Sequence, residues 1–218
     1  MVRLILDASN SHLSIALLKN NELINEFNIE CKRNLSEILL QEIDNILVNS
    51  NFTKNDLLEI IATKGPGSYT ALRVVLSVAK TLSMVLNIPI KLISSLRLQA
   101  ANVKEDVAVV PLIDGRRGNV YAAIYDNDVD VFQEGYYSLD DVINKLNELN
   151  KKVIFVGNDV SNFSYDNLNN IYDLDTTPIL AKNIIYVEKY LENSDFYNAL
   201  PSYLRLTEAE RNLKNDKN

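Results

Sequence analysis

The chain reads as an α/β protein made of two similar halves. Three observations carry this reading. An apolar strand ending in an aspartate opens each half, Arg3 to Ser9 with Asp7 and Val107 to Ile113 with Asp114. Each opening continues as a short turn, two further β-type runs, an amphipathic helix and another strand, a weak internal duplication. Between the fourth strand of the first half and a long apolar helix stands Gly65-Pro66-Gly67-Ser68, a turn with its own demands on the backbone.

The elements follow in order. Leu13 to Leu18 is the second strand, and Lys19-Asn20-Asn21-Glu22 is a turn. Leu23 to Ile29 alternates as a third strand. His12 lies in the first turn and reads as solvated. Leu35, Ile38, Leu39, Ile43, Ile46 and Leu47 keep helical spacing, and Asn34 with Glu37 resembles a capping box. A short helical piece over Lys54 to Glu59 leads to the strand Ile60 to Thr63. Gly65 and Gly67 permit backbone angles closed to other residues, and Ser68 or Thr70 can cap the helix that follows. The free N–H groups of such a helix start suit an anion, and they equally suit a tight strand-to-helix turn.

From Thr70 to Leu86 the pattern is helical and apolar on most sides. Leu72, Val75, Leu76, Ala79, Leu82 and Leu86 form one stripe, and Val74, Val78, Met84 and Val85 lie off it. Such a helix is covered on most sides, either by its own domain or by another chain. Asn87-Ile88-Pro89 ends it, Ile90 to Ile93 is a strand, and Ser94-Ser95-Leu96 begins a helix to Ala101. Polar residues 102–106 mark the boundary, giving lobes of residues 1–103 and 104–218. In the second half, Gly115-Arg116-Arg117-Gly118 is a turn, and Val120 to Tyr125 and Val129 to Tyr136 are strands. Leu139 to Leu149 is a helix and Val153 to Val156 a strand ending in Gly157. Residues 158–172 read as loop, Ile179 to Leu191 as a helix, and Glu208 to Asn218 as a frayed polar tail. Two such halves facing each other describe the actin-like ATPase (ASKHA, ribonuclease H-like) architecture. There the two Asp-bearing hairpins flank a phosphate or metal between the lobes.

Composition narrows the function. Of 218 residues 47% are hydrophobic and 23% charged, the balance of an ordinary globular protein. No run of 18 apolar residues predicts a membrane span, and the N-terminus reaches Asp7 too early for a secretory signal. The single cysteine, Cys31, excludes an internal disulfide and favours a reducing, cytoplasmic setting. One His and one Cys do not supply a zinc site of the usual kind, whereas an oxygen-ligand magnesium site stays open. A net charge of −7 argues against a free-standing nucleic-acid binder.

The stretch Gly65 to Arg73, Gly-Pro-Gly-Ser-Tyr-Thr-Ala-Leu-Arg, resembles the Gly-Pro-Gly-Ser-aromatic-Thr-small-Leu/Val-Arg motif of the bacterial TsaB (YeaZ) family. Further stretches resemble that family in order. These are Ile5-Leu6-Asp7-Ala8-Ser9, Lys32-Arg33-Asn34-Leu35, Ser95-Leu96, Ile113 to Tyr121 and Pro201-Ser202-Tyr203-Leu204-Arg205. Ala8, Asn34, Ala71 and Val75 depart from its pattern. The resemblance implies a non-catalytic dimerisation subunit, a pseudo-enzyme in tRNA threonylcarbamoyladenosine synthesis. Its implied partner is a homologous TsaD-type catalytic subunit, with a TsaE-type ATPase and tRNA reached only through the complex and no membrane involved. The catalytic paralogue carries a His-x-x-x-His pair on the first helix, where this chain has no His between Asn34 and Ser50. The implied interface is Leu35, Ile38, Leu39 and Ile43 on that helix with Leu72, Val75, Leu76, Val78, Ala79 and Leu82 on the second. The same stripe allows a homodimer. Asp7, Ser9, Gly65, Gly67, Ser68 and Asp114 are the positions at which ATP or ADP with Mg²⁺ would sit, no cofactor being required by this chain alone and no residue being assigned to catalysis or to a resident metal.

Two other readings compete. An ATP-dependent phosphotransferase or ATPase of the actin-like fold would use Asp7 and Asp114. It lacks a second Gly-rich loop and a P-loop lysine, since Lys64 precedes the turn. A protease built on Ser68 lacks a neighbouring base. Asp7 and Asp114 equally serve as caps of their strand ends, and Arg73 and Arg116 as ion-pair formers.

Overall fold

The computed structural model describes residues 1–31, 34–103, 105–127 and 129–205. Lys32, Arg33 and the expected polar tail lie outside the described residues.

The first lobe runs β1 (Val2–Asp7), β2 (His12–Lys19), β3 (Glu22–Glu30), α1 (Leu35–Asn49), β4 (Leu57–Gly65), α2 (Tyr69–Leu86), β5 (Ile90–Ser94) and α3 (Ser95–Ala100). The second runs β6 (Ala108–Arg116), β7 (Asn119–Asp126), β8 (Val129–Ser138), α4 (Leu139–Asn147), β9 (Val153–Val156) and β10 (Tyr172–Asp175). A last strand, β11 (Glu192–Ser194), pairs antiparallel with β5. The sheet orders are β11-β5-β4-β1-β2-β3 and β10-β9-β6-β7-β8. In both, the first three strands are an antiparallel meander and the fourth and fifth join parallel to the first. The fold is therefore the duplicated actin-like, ribonuclease H-like one, with β10, which begins where the expected loop ends, completing the second copy.

Alternation along β1 explains how the first sheet is covered. Leu4, Leu6 and Ala8 face a core shared with Leu39, Ile43, Ile46 and Leu47 of α1 and Val75, Leu76 and Ala79 of α2. Ile5 faces the opposite core with Leu98 of α3 and Ile179, Ala181, Ile184 and Val187. Ala181 and Ile184 lie in the first of two 3₁₀ turns, Ala181–Tyr186 and Glu188–Tyr190, with Val187 between them, where the sequence predicts one α-helix over 179–191. The physical reason is the spacing. Positions 181, 184 and 187 repeat every three residues, the period at which a 3₁₀ turn stacks its side chains. Residues 179–194, which follow the second lobe in sequence, thus pack on the first sheet. Arg3 holds them there, buried, with Nη2 2.5 Å from Glu188 Oε1 and Nη1 3.9 Å from Glu59 Oε1.

Two further expectations change. The Asn34–Glu37 capping box does not form, and Asn34 Oδ1 instead accepts the weak S–H donor of Cys31 at 3.6 Å. The helical piece after residue 53 is a single 3₁₀ turn, Lys54–Asp56, because β4 already begins at Leu57. By length and composition α2 is apolar enough to cross a membrane. Here Leu72, Val75, Leu76 and Ala79 are buried in the lobe's own core, while Arg73 and Lys80 stand on the same helix.

α3 joins the lobes. Arg97, on α3 and nearly buried, pairs with Asp130 of β8 and lies 3.6 Å from the ring of Tyr125 and 4.0 Å from that of Tyr190. Tyr125 Oη donates to Glu134 Oε1 at 2.7 Å, and Ser94 Oγ donates to Glu134 Oε2 at 2.7 Å. Burial pushes the Tyr125 phenol far above its ordinary value, with the Glu134 charge adding to it.

Candidate functional site

The Gly-Pro-Gly turn is clamped from two sides. Ser68 N donates to Ser9 O at 2.7 Å, and Ser202 N donates to Lys64 O at 2.7 Å. A Cβ on Gly67 would stand 2.1 Å from Ser9 O, so only glycine allows this approach. A Cβ on Gly65 (φ 106°) would stand 2.9 Å from Ser202 O. The late Pro201–Arg205 stretch is thus the back support of the turn. Ser68 caps α2, accepting from Ala71 N at 3.4 Å.

Asp7 is the internal tie of this assembly. Its Oδ1 accepts from Thr63 Oγ1 at 2.6 Å, Ser9 Oγ at 2.7 Å and Ser9 N at 3.2 Å, which binds the end of β1 to β4. The side chain is fully buried and its Oδ2 has no hydrogen-bond partner among the described residues. Burial raises its carboxyl from 3.8 to about 6, against the lowering effect of the Thr63 and Ser9 hydrogen bonds.

Between the lobes lies a cleft of about 550 Å³. Ser9, Gly67 and Ser68 border it from the first lobe, Asp114, Arg116 and Asp159 from the second, and Arg205 from the C-terminal segment. Of the six predicted ligand positions, Ser9, Gly67, Ser68 and Asp114 converge here. Asp7 and Gly65 do not line it, Asp7 because its burial turns it into the strand-end tie. The duplication is therefore asymmetric. Asp114 is exposed, its Oδ1 accepting from Arg116 N at 2.7 Å and its own N donating to Asp159 Oδ2 at 3.1 Å.

Sequence reasoning missed the closure across the cleft. Asn158 Oδ1 accepts from Asn10 Nδ2 at 3.2 Å, and Asn158 Nδ2 donates to His12 Nδ1 at 2.8 Å. His12, which reads as solvated, is half-buried and engaged with the other lobe. The available signal was positional, since Gly157 ends the fourth strand of its lobe as Gly65 does in the first.

The helices on the outer face are placed differently from the predicted interface. Leu39, Ile43, Leu72, Val75, Leu76 and Ala79 are buried in the core and hold the helices on their own sheet. Leu35, Ile38, Val78 and Leu82 are partly covered against that core. The apolar residues left to solvent are Leu40 and Val48 on α1 and Tyr69, Met84 and Val85 on α2, Leu40 being 54% and Val85 67% exposed. A notch of about 390 Å³, bordered by Cys31, Leu35, Ser36, Thr70, Ala71 and Val74, opens between the two helix starts.

Known proteins match this arrangement. A sequence model of the TsaD family, tRNA N6-adenosine threonylcarbamoyltransferase, matches residues 28–184. The tRNA threonylcarbamoyladenosine biosynthesis protein TsaB of Bacillus subtilis is 34% identical over 221 residues, 96% of each chain. The protein of that name from Escherichia coli is 27% identical over 128 residues, 57% of this chain and 55% of its own. The solved structure of YeaZ from Pseudomonas aeruginosa has a TM-score of 0.79, covering 93% of this chain and 99% of that one at 21% identity. At that identity the likeness is one of fold.

Proposed function

The chain belongs to the TsaB family of tRNA threonylcarbamoyladenosine biosynthesis, and on that premise we propose that it is a non-catalytic scaffold subunit. It binds and activates a TsaD-type catalytic subunit for threonylcarbamoylation of adenosine 37 in tRNA, in the cytoplasm, with a TsaE-type ATPase joining through the complex. The observation that carries this reading is the outer face of α1 and α2. Leu40 and Val48 on α1 and Met84 and Val85 on α2 are apolar side chains left in water, and a notch opens between the two helix starts. Covering them yields roughly 25 cal/mol per Å² of apolar area, before the costs of association. A second copy of the chain would bury the same face when the catalytic subunit is absent.

The cleft supports a second reading, ATP-dependent phosphotransfer or ATP hydrolysis. Its hydroxyl and guanidinium groups fit phosphate oxygens, and Asp114 is the predicted carboxylate that reaches it, so Mg²⁺ with ATP or ADP fits at Asp114 rather than at Asp7. When bound, the metal would neutralise phosphate charge, while Ser9, Ser68, Arg116 and Arg205 would orient the phosphates. Among the described residues Ser68 has no basic group as a hydrogen-bond partner, which leaves the protease reading without its second member there.

The test is a mixing experiment with the TsaD-type subunit of the same source, followed by size exclusion with light scattering. A stable heterodimer, with transfer activity only when both subunits are present, is the expected result. No complex, together with Mg²⁺-dependent ATP turnover by this chain that is lost in Asp114→Asn, would replace the scaffold reading by the second.

A further inference from the structure

We infer that the cleft rim touches the phosphodiester backbone of RNA directly, through Arg73, Arg116 and Arg205, an inference that rests on the tRNA-modification reading. The expectation from net charge, that tRNA is reached only through a partner, concerns the whole chain. The distribution of its arginines is uneven.

Of the described arginines, Arg3 and Arg97 are buried and ion-paired. The others gather at the cleft. Arg116 and Arg205 line it, and Arg73 lies 3.9 Å from the ring of Tyr69, which also lines it. Arg117 adjoins Arg116 in the β6–β7 turn. No described carboxylate lies within ion-pair distance of Arg73, Arg116 or Arg205, whereas Lys64, Lys91, Lys145, Lys151, Lys152 and Lys182 all carry one. The chain has 29 acidic and 22 basic residues, so uncompensated guanidinium groups on one rim run against its overall balance. Asp114 and Asp159 border the same cleft, each accepting from a backbone N–H.

Aromatic rings, not carboxylates, hold the guanidinium groups of Arg73 and Arg205. Arg73 Nε donates to Tyr203 Oη at 2.9 Å, and Tyr203 stacks on Tyr69 at 5.2 Å. Arg205 lies 4.9 Å from the ring of Tyr136, and its Nε is buried with no acceptor among the described residues. A guanidinium backed by a ring keeps its outer edge for a phosphate and sets an aromatic face beside it for a base. Arg116 (φ 66°) and Arg117 (φ 58°) also occupy left-handed positions that a tight hairpin normally gives to Asn or Gly. Turn geometry therefore does not account for arginine there. The three guanidinium groups come from three separate parts of the chain, α2, the β6–β7 turn and the C-terminal segment, and gather on one cleft rim. The exposed Tyr faces favour RNA over an acidic protein surface.

The test uses an unmodified tRNA transcript with a fluorescent end, read by anisotropy at several salt concentrations. It is run on this chain alone and on its mixture with the TsaD-type subunit, whose assembly is measured separately by light scattering. Each arginine that meets a phosphate contributes about 0.7–0.9 to the slope of log K against log salt. The triple Arg→Gln variant at 73, 116 and 205 should lose about two to three from that slope, the triple Arg→Lys variant should keep it, and Lys145→Gln should change nothing. If the triple Gln variant does not fold, the three single variants serve, each losing close to one. Unchanged slope and affinity overturn the inference whether or not the subunits assemble. So does a variant that loses only the heterodimer, or only ATP binding, while its tRNA slope stays wild-type. Failure of wild-type assembly with an arginine-dependent tRNA slope retained overturns the scaffold reading alone.

Discussion

Replacing Gly67 by alanine tests the organisation of the cleft at its tightest point. The added Cβ would stand 2.1 Å from Ser9 O and 2.8 Å from Ser9 Cβ, where ordinary contact begins near 3.4 Å. Relief requires the two turns to part by more than 1 Å. That breaks the 2.7 Å bond from Ser68 N to Ser9 O and strands buried polar groups, at a cost of about 1–3 kcal/mol. Moving Ser9 also weakens its two hydrogen bonds to Asp7, charge-assisted contacts worth about 1.5–3 kcal/mol. The sum, about 2.5–6 kcal/mol, corresponds to a fall in Tm of roughly 5–24 °C for a chain of this size. Gly118→Ala is the control. It meets nothing within 4 Å, and its φ of +76° costs about 1–2 kcal/mol by itself. Calorimetry on both variants decides the matter. A Gly67→Ala protein no less stable than Gly118→Ala would refute the clamp.

Asp7 predicts a pH dependence with a definite sign. Its carboxyl is raised from 3.8 to about 6, so the fold favours the protonated form. The stabilisation is fully present below about pH 4 and is lost as pH rises through about 6, some 3 kcal/mol in all. Asp7→Asn keeps an acceptor for Thr63 and Ser9 but cannot ionise. Urea unfolding from pH 4 to 7 should show the wild type losing about 2 kcal/mol relative to this variant, and parallel profiles would contradict the assignment. On the helices, Val75→Asp places a charge in the core and should abolish the folded circular dichroism spectrum. Leu40→Asp with Val85→Asp should fold normally yet weaken heterodimer formation at least about 30-fold, from roughly 1 kcal/mol of lost burial per side chain. Wild-type binding by that folded double variant would move the interface elsewhere.

The two halves were legible in the sequence because their signals are local. Alternation marks the meanders, helical spacing marks α1, α2 and α4, and Gly65-Pro66-Gly67-Ser68 marks a strand-to-helix turn whatever surrounds it. The same local logic misled over residues 179–191, where apolar spacing of three was read as a helix of 3.6. It was silent on β10 and β11, short strands that exist only because a sheet edge is there to pair with.

The sequence by itself determined the fold class, the duplication and the stretch on which the cleft is built. Tertiary structure decided which face each group serves. Asp7 ends β1 and Asp114 lies two residues before the end of the equivalent β6, yet one is sealed beneath Thr63 and Ser9 while the other opens on the cleft. The Leu72, Val75, Leu76 and Ala79 stripe is apolar enough for a partner or a core, and the sheet beneath it claimed it for the core. Asn158, Tyr203 and Arg205 join the site from far along the chain. Residue pattern fixes periodicity and turn chemistry, which depend on near neighbours. Burial, pairing and the sign of a pKa shift depend on what packs against a residue from elsewhere in the chain.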